Sequence, residues 1–375
     1  FEPIVRETLD PLPFSNTSHA FSAEVDGQAY YYFSTPSPLG VRLRVKARWD
    51  CVTDPNRYEV LTTLGPSNTT PPALSLADTK RTDKPYRWTM FGDMIKDATK
   101  ATVIKQVDKE IRKFDVYDVE SGKKVSPHNG SVYFNPYRNR WIAIFVQTGG
   151  KSSFLGEVWY AEADTPTGPW CYARKIVTHN KYSFYNPKHH SLFDKEHGRV
   201  IFLEGTYSHT FSGSIETATP RYDYNQIMYK LDLSDERMTL PVPVYEVRTA
   251  NGRIAYMLRD KVEERGLWND VEAIPFYAVE PGRAGDDLVP IYAVGTSQSG
   301  QSVLLTVEQP EPSTRPLFFA LPPDKPQTDN PCVIVLYENH KNDSAERVYK
   351  PLCRIWKAPK AVQLLDSTAK PSSTR

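Results

Sequence analysis

The densest chemistry in the chain lies between Tyr182 and Asp232. The run YSFYNPKHHSLFDKEHGRVIFLEGTY puts Asn186, Lys188, His189 and His190 before a charged turn ending at Gly198, and Glu204, Thr206 and Tyr207 after it. A short apolar run over Ser191 to Phe193, a turn, and a second run over Arg199 to Leu203 predict an antiparallel hairpin. The start of its first strand and the end of its second share one end, so these groups should meet there. The following loop adds His209, Glu216, Arg221 and Asp223 to the same rim. Carboxylates beside imidazoles can pass protons, and a cation can hold an acidic substrate. Alternate strand residues face opposite ways, so only one of His189 and His190 can point into such a site. The plain alternative is a solvated loop end; the clustering, more than any single residue, argues for a functional rim.

The elements that position this rim repeat along the chain. A hairpin over Ser131 to Phe145 is followed by strands at Glu157 to Ala163 and Trp170 to Val177. The hairpin over Ser191 to Leu203 is followed by strands at Gln226 to Leu231 and Val242 to Val247, about 60 residues on. A third unit runs from Ala273 to Ala320, and a last hairpin from Cys332 to Trp356. Five further strands precede residue 120, with weak helical periodicity from Lys96 to Asp108. Repeated four-stranded units predict an all-β fold, a β-propeller of five blades, with six or seven as alternatives. A β-sandwich leaves the repeat unexplained. The expected layout is one domain over residues 1–375, with an irregular lead-in at 1–20 and a frayed tail at 358–375. The ring is expected to close by pairing the N-terminal strands with the Cys332–Trp356 hairpin.

In a propeller the first strand of each blade lines the axis, where ligand pockets form. Reading those positions gathers His128 and Asn129, then Asn186 to His190, then Asn269, Asp270 and Glu272. Second strands contribute Gln147 and Glu204, and third strands start at Glu157 and just after Asp223. Trp268 is a candidate for stacking on a sugar ring, whereas Trp141, Trp159 and Trp170 read as core.

Two short motifs carry a family likeness. EVWYAEADTPTGPW, residues 157–170, is a strand and a turn ending Gly-Pro-Trp; FLEG, residues 202–205, ends a second strand on a carboxylate. Over roughly residues 125–235 the chain resembles the five-bladed propeller glycoside hydrolases and related carbohydrate-active propellers. That resemblance implies a catalytic role for Glu204. The family's inner-strand Asp is replaced here by Asn129 and Asn186, with His128, His189 and His190 nearby. Three readings follow. In a hydrolase Glu204 is the acid, with Asp223, Glu157 or Asp270 as its partner. In a polysaccharide lyase His189 or His190, with Tyr185 or Tyr207, removes a proton beside a uronate held by Lys188 or Arg221. In a carbohydrate-binding module the same rim binds without turnover.

Composition fits an ordinary globular chain. The 375 residues carry 46 Lys+Arg against 45 Asp+Glu, a net charge of +1, which gives no support for a nucleic-acid partner. No apolar run approaches the roughly 20 residues that span a bilayer, so no membrane insertion is expected. The 31 Pro and 22 Tyr suit many strands joined by turns. Cys332 and Cys353 flank the last hairpin and are candidates to pair, whereas Cys51 and Cys171 read as buried thiols. No spacing is diagnostic of zinc, even with His128 or His209 beside the paired histidines; an axial calcium held by oxygens is the one structural cofactor the fold suggests. The start at Phe1 fits a removed leader, and sequons at Asn16, Asn68, Asn129 and Asn342 agree with a secreted, periplasmic or cell-envelope protein.

Overall fold

A computed structural model describes residues 19–34, 37–63, 86–95, 100–109, 114–210, 212, 224–296, 303–324, 329–341, 347–358 and 364–372. The fold is all-β. Among the described residues strands dominate, and the longest helix is the ten-residue Lys100–Lys109. The strands form five sheets.

The best-built sheet shows why the sequence folds this way. Strands Pro127–Asn135, Arg140–Gln147, Glu157–Ala163 and Tyr172–Thr178 pair in order as an antiparallel meander. Arg140–Gln147, RWIAIFVQ, is buried along nearly its whole length. Its period-2 alternation feeds two cores. Ile142 and Ile144 join Tyr160, Phe184, Ile201 and Leu203, while Trp141, Ala143 and Phe145 join Tyr32 and Trp170. A strand apolar on both faces is therefore one that has a neighbouring layer on each side.

The next sheet departs from expectation. Its first strand is Ser183–His189, upstream of the predicted one, and it pairs with Val200–Ser208, which pairs in turn with Tyr224–Asp232. Ser191–Phe193 is a short 3-10 turn whose Leu192 is 92% exposed. The Asn186-Pro187 pair forms a bulge in this strand, with the register shifting between Tyr185 and Lys188. This sheet has three strands. Val242–Arg248, expected as its fourth, pairs instead with Ile254–Met257 and Val271–Ala278.

The chain's far ends also correct the sequence reading. The hairpin Val333–Lys341/Arg347–Lys357 pairs with Val271–Ala278 and not with the N-terminal strands. Those strands are met by the segment expected to fray: Lys370–Pro371 pairs with Ala23 and Glu24 of strand Phe21–Val25. Leu364 and Ala369 are buried. Asp366 accepts bonds from Tyr32 Oη at 3.0 Å, Trp88 Nε1 at 3.1 Å and Arg44 Nη1 at 2.8 Å. Cys332 and Cys353 do not pair; all four cysteines are buried. The two belong to different cores, and Cys353 sits opposite Leu336 in the hairpin. Burial pushes the Cys353 thiol up to about 12.

Candidate functional site

Two edge strands of neighbouring sheets, Pro127–Asn135 and Ser183–His189, lie side by side. Ser131 Oγ accepts the His189 N–H at 2.8 Å, and the Tyr133 ring meets the His189 ring edge-on at 5.3 Å. Asn129 Nδ2 donates to Asn186 Oδ1 at 2.8 Å. Asn186 adopts φ 52°, a left-handed conformation that Asn tolerates better than most side chains. The bulge at this residue resets the alternation, so Lys188 comes directly opposite Glu204.

His190 lies just beyond the strand end, where its N–H donates to Phe202 O at 2.8 Å. Its Nε2 is 3.2 Å from Glu204 Oε1, a close contact that is not aligned as a hydrogen bond. Both side chains are partly open, 23% and 36% exposed. His19, from the stretch read as a lead-in, completes the face: it bonds the Asn186 backbone and lies near Lys188 and His190. Burial, then the Lys188 charge, lowers its pKa. The face therefore presents one carboxylate, two imidazoles, an ammonium and a linked pair of amides. His128 sits next to Asn129 with its pKa lowered by burial, and its buried Nδ1 has no hydrogen-bond partner among the described residues.

Tyr185 and Tyr224 touch through their hydroxyls at 2.8 Å, a bond that raises the Tyr185 pKa, and Tyr224 is an exposed ring. Tyr207 lies on the other side of its strand from Glu204. It packs against Tyr182 at 5.1 Å and His179 at 5.5 Å, and burial raises its pKa.

The remaining candidates are dispersed. His189 is 1% exposed, with Nε2 held 2.7 Å from Asp194, so it serves the packing between the two edge strands and not the open face. Glu157 is buried at the start of its strand, 3.5 Å from Lys175. The Arg140–Gln147 strand separates it from the edge strand Pro127–Asn135, so the sheet does not bring it to Glu204. Asp270 is exposed on the 3-10 turn Trp268–Asp270. Trp268, expected to stack on a sugar, is 8% exposed and packs edge-on to Tyr245 at 5.4 Å inside the core. Arg221, Asp223 and Glu216 lie outside the described residues. Among the described residues, no three or more His, Cys, Asp or Glu side chains gather as a metal site.

Sequence reasoning found Glu204, His190, Lys188 and the two asparagines. It missed His19, whose only local signal is a polar residue just before the strand run beginning at Phe21. Scans against protein-family models and against curated protein sequences find no match, so any functional reading rests on this face.

Proposed function

We propose that this chain is a five-bladed β-propeller that cleaves a poly- or oligosaccharide, with Glu204 as the proton donor. The observation that carries the reading is the Glu204–His190–Lys188 face, where a partly open carboxylate lies 3.2 Å from an imidazole and opposite an ammonium. The blade number rests on the repeat in the sequence; the described strands form five sheets of three to six strands. In this mechanism Glu204 protonates the glycosidic oxygen as the bond breaks. Asp223, the residue before Tyr224, is assigned as its partner from its place in the sequence. His190 exchanges a proton with Glu204 between turnovers. The Asn129–Asn186 pair holds sugar hydroxyls through its remaining donors and acceptors. A polysaccharide substrate would place the protein outside the cell or in its envelope, where burial would shield its four thiols.

One observation favours a second reading. Lys188 and His190 flank Glu204 on one face, an arrangement that suits a lyase in which Lys188 holds a uronate and His190 removes the neighbouring proton. Incubation with neutral and uronate-containing polysaccharides, reading reducing ends and unsaturated-uronate absorbance together, separates the readings. Reducing ends alone identify the hydrolase, and both signals identify the lyase. Glycan binding without either signal would reject cleavage in favour of a binding module.

A further inference from the structure

A cavity of about 1070 Å³ opens at the turn end of the Pro127–Asn135/Arg140–Gln147 hairpin, the far end from His128 and Asn129. None of Glu204, His190, Lys188, Asn186 or Asn129 lines it.

Its inner wall is a buried ion network. The Glu162 carboxylate takes Arg138 Nε at 3.2 Å, Arg283 Nη1 at 3.2 Å and the Tyr160 hydroxyl at 2.7 Å. Arg140 reaches Asp164 and, at 3.1 Å, Glu280, while Arg283 Nε meets Glu280 at 2.6 Å. Burial pushes the Glu280 carboxyl up, but Arg140 and Arg283 outweigh that and hold it below its ordinary range. The network matches three guanidiniums, Arg138, Arg140 and Arg283, with three carboxyl groups, Glu162, Asp164 and Glu280.

The outer lining balances as well. Lys261 pairs with Glu264, and Asp235 pairs with Arg237. Arg265 and Arg315 are offset by Glu236 and Asp260. Between these charges lie Tyr137, 41% exposed and backed by the Arg138 guanidinium 5.8 Å from its ring centre, and the apolar Met257 and Leu317.

A wall with fixed donors and acceptors but no net charge does not select an anion or a cation. It suits an uncharged molecule rich in hydroxyls, with an aromatic ring to cover one apolar face. We infer that this cavity is a second carbohydrate site, binding a neutral oligosaccharide with Tyr137 as its stacking platform and Arg315 among its hydroxyl ligands. The inference does not depend on cleavage at the Glu204 face.

The test uses the full chain carrying Glu204→Gln, so that turnover does not consume the ligand. Linear neutral hexose oligosaccharides are titrated by calorimetry, beside uronate oligosaccharides and inorganic phosphate. Neutral oligosaccharides are expected to bind, and adding Tyr137→Ala or Arg315→Ala should weaken that binding roughly tenfold. Both residues are exposed, and thermal melts verify that each variant is folded. The inference is overturned if no neutral oligosaccharide binds, if both variants bind as before, or if phosphate or uronates bind more tightly in a Tyr137-dependent way. If every glycan resists cleavage by the unmodified chain while Tyr137-dependent binding persists, the cleavage proposal fails and this one stands.

Discussion

The Glu204 face and the arginine network are both built from charged side chains, yet they spend their charge differently. Glu162 is 3% exposed and serves Arg138, Arg283 and Tyr160 at once. Glu204 is 36% exposed and has one unaligned imidazole as its near partner. Burial explains the contrast. A carboxylate taken out of water must be surrounded by donors or it costs several kcal/mol, so the network's groups are committed to one another. A carboxylate left partly in water needs no such cage and keeps lone pairs for an incoming molecule. The network's carboxylates therefore tie separate parts of the scaffold together, whereas the Glu204 carboxylate is left open to an incoming molecule.

Substitution should pull the two regions apart. The largest effect is expected from Glu162→Ala, which strands buried guanidiniums and should cost about 3–5 kcal/mol in denaturant unfolding. Glu204→Gln should change unfolding by less than about 1 kcal/mol, while lowering glycan cleavage by about 10²–10⁴-fold. A large stability loss in Glu204→Gln would erase the distinction. Next comes Asp366→Ala, which removes the acceptor shared by Arg44, Tyr32 and Trp88; a loss of about 3 kcal/mol is expected, with cleavage by the remaining folded protein unchanged.

Acid should produce a smaller effect. His19 and His128 have pKa values below 6.5 in the fold, so below that pH the unfolded chain binds protons more readily than the folded one. Their contribution is complete above pH 6.5 and is lost as the pH falls through the lower folded values. Thermal melts should show the midpoint dropping on acidification, with a shallower drop in His128→Gln. The smallest change is expected from Asn186→Gly. Glycine relieves the φ 52° backbone but loses the bond to Asn129, so stability should move by less than about 1 kcal/mol. Glycan affinity should nonetheless fall, a readout that a purely structural turn residue would not move.

What could be read from the sequence follows the range of the interactions. Strands such as Glu157–Ala163 were legible because alternation and flanking turns are local. The Glu204 face was legible in part because a hairpin brings its own residues together. Ser191–Phe193 misled because a short apolar run before a charged turn suits a strand and a 3-10 turn alike. Trp268 misled because an aromatic beside polar residues does not reveal which way its ring turns. The arginine network was invisible: apart from the local Glu280–Arg283 pair, its members Arg138, Glu162 and Arg283 come from three separate parts of the chain and follow no spacing rule. The Asp366 contacts were hidden for the same reason, behind a polar segment that looks unstructured.

Those contacts also set an order in time. Of the two carboxylate partners of Arg44, Glu59 is made soon after it, while Asp366 follows 322 residues later. Until residues 366–371 leave the ribosome, the sheet begun at Ala23 and Glu24 lacks a strand, and Tyr32 and Trp88 lack their shared acceptor. Translation at about 5–20 residues per second leaves that first sheet unfinished while the other four are being made. The nascent chain spends this interval with an open seam, exposed to chaperones and to mispairing, and residues 366–371 act as the fastener that closes it.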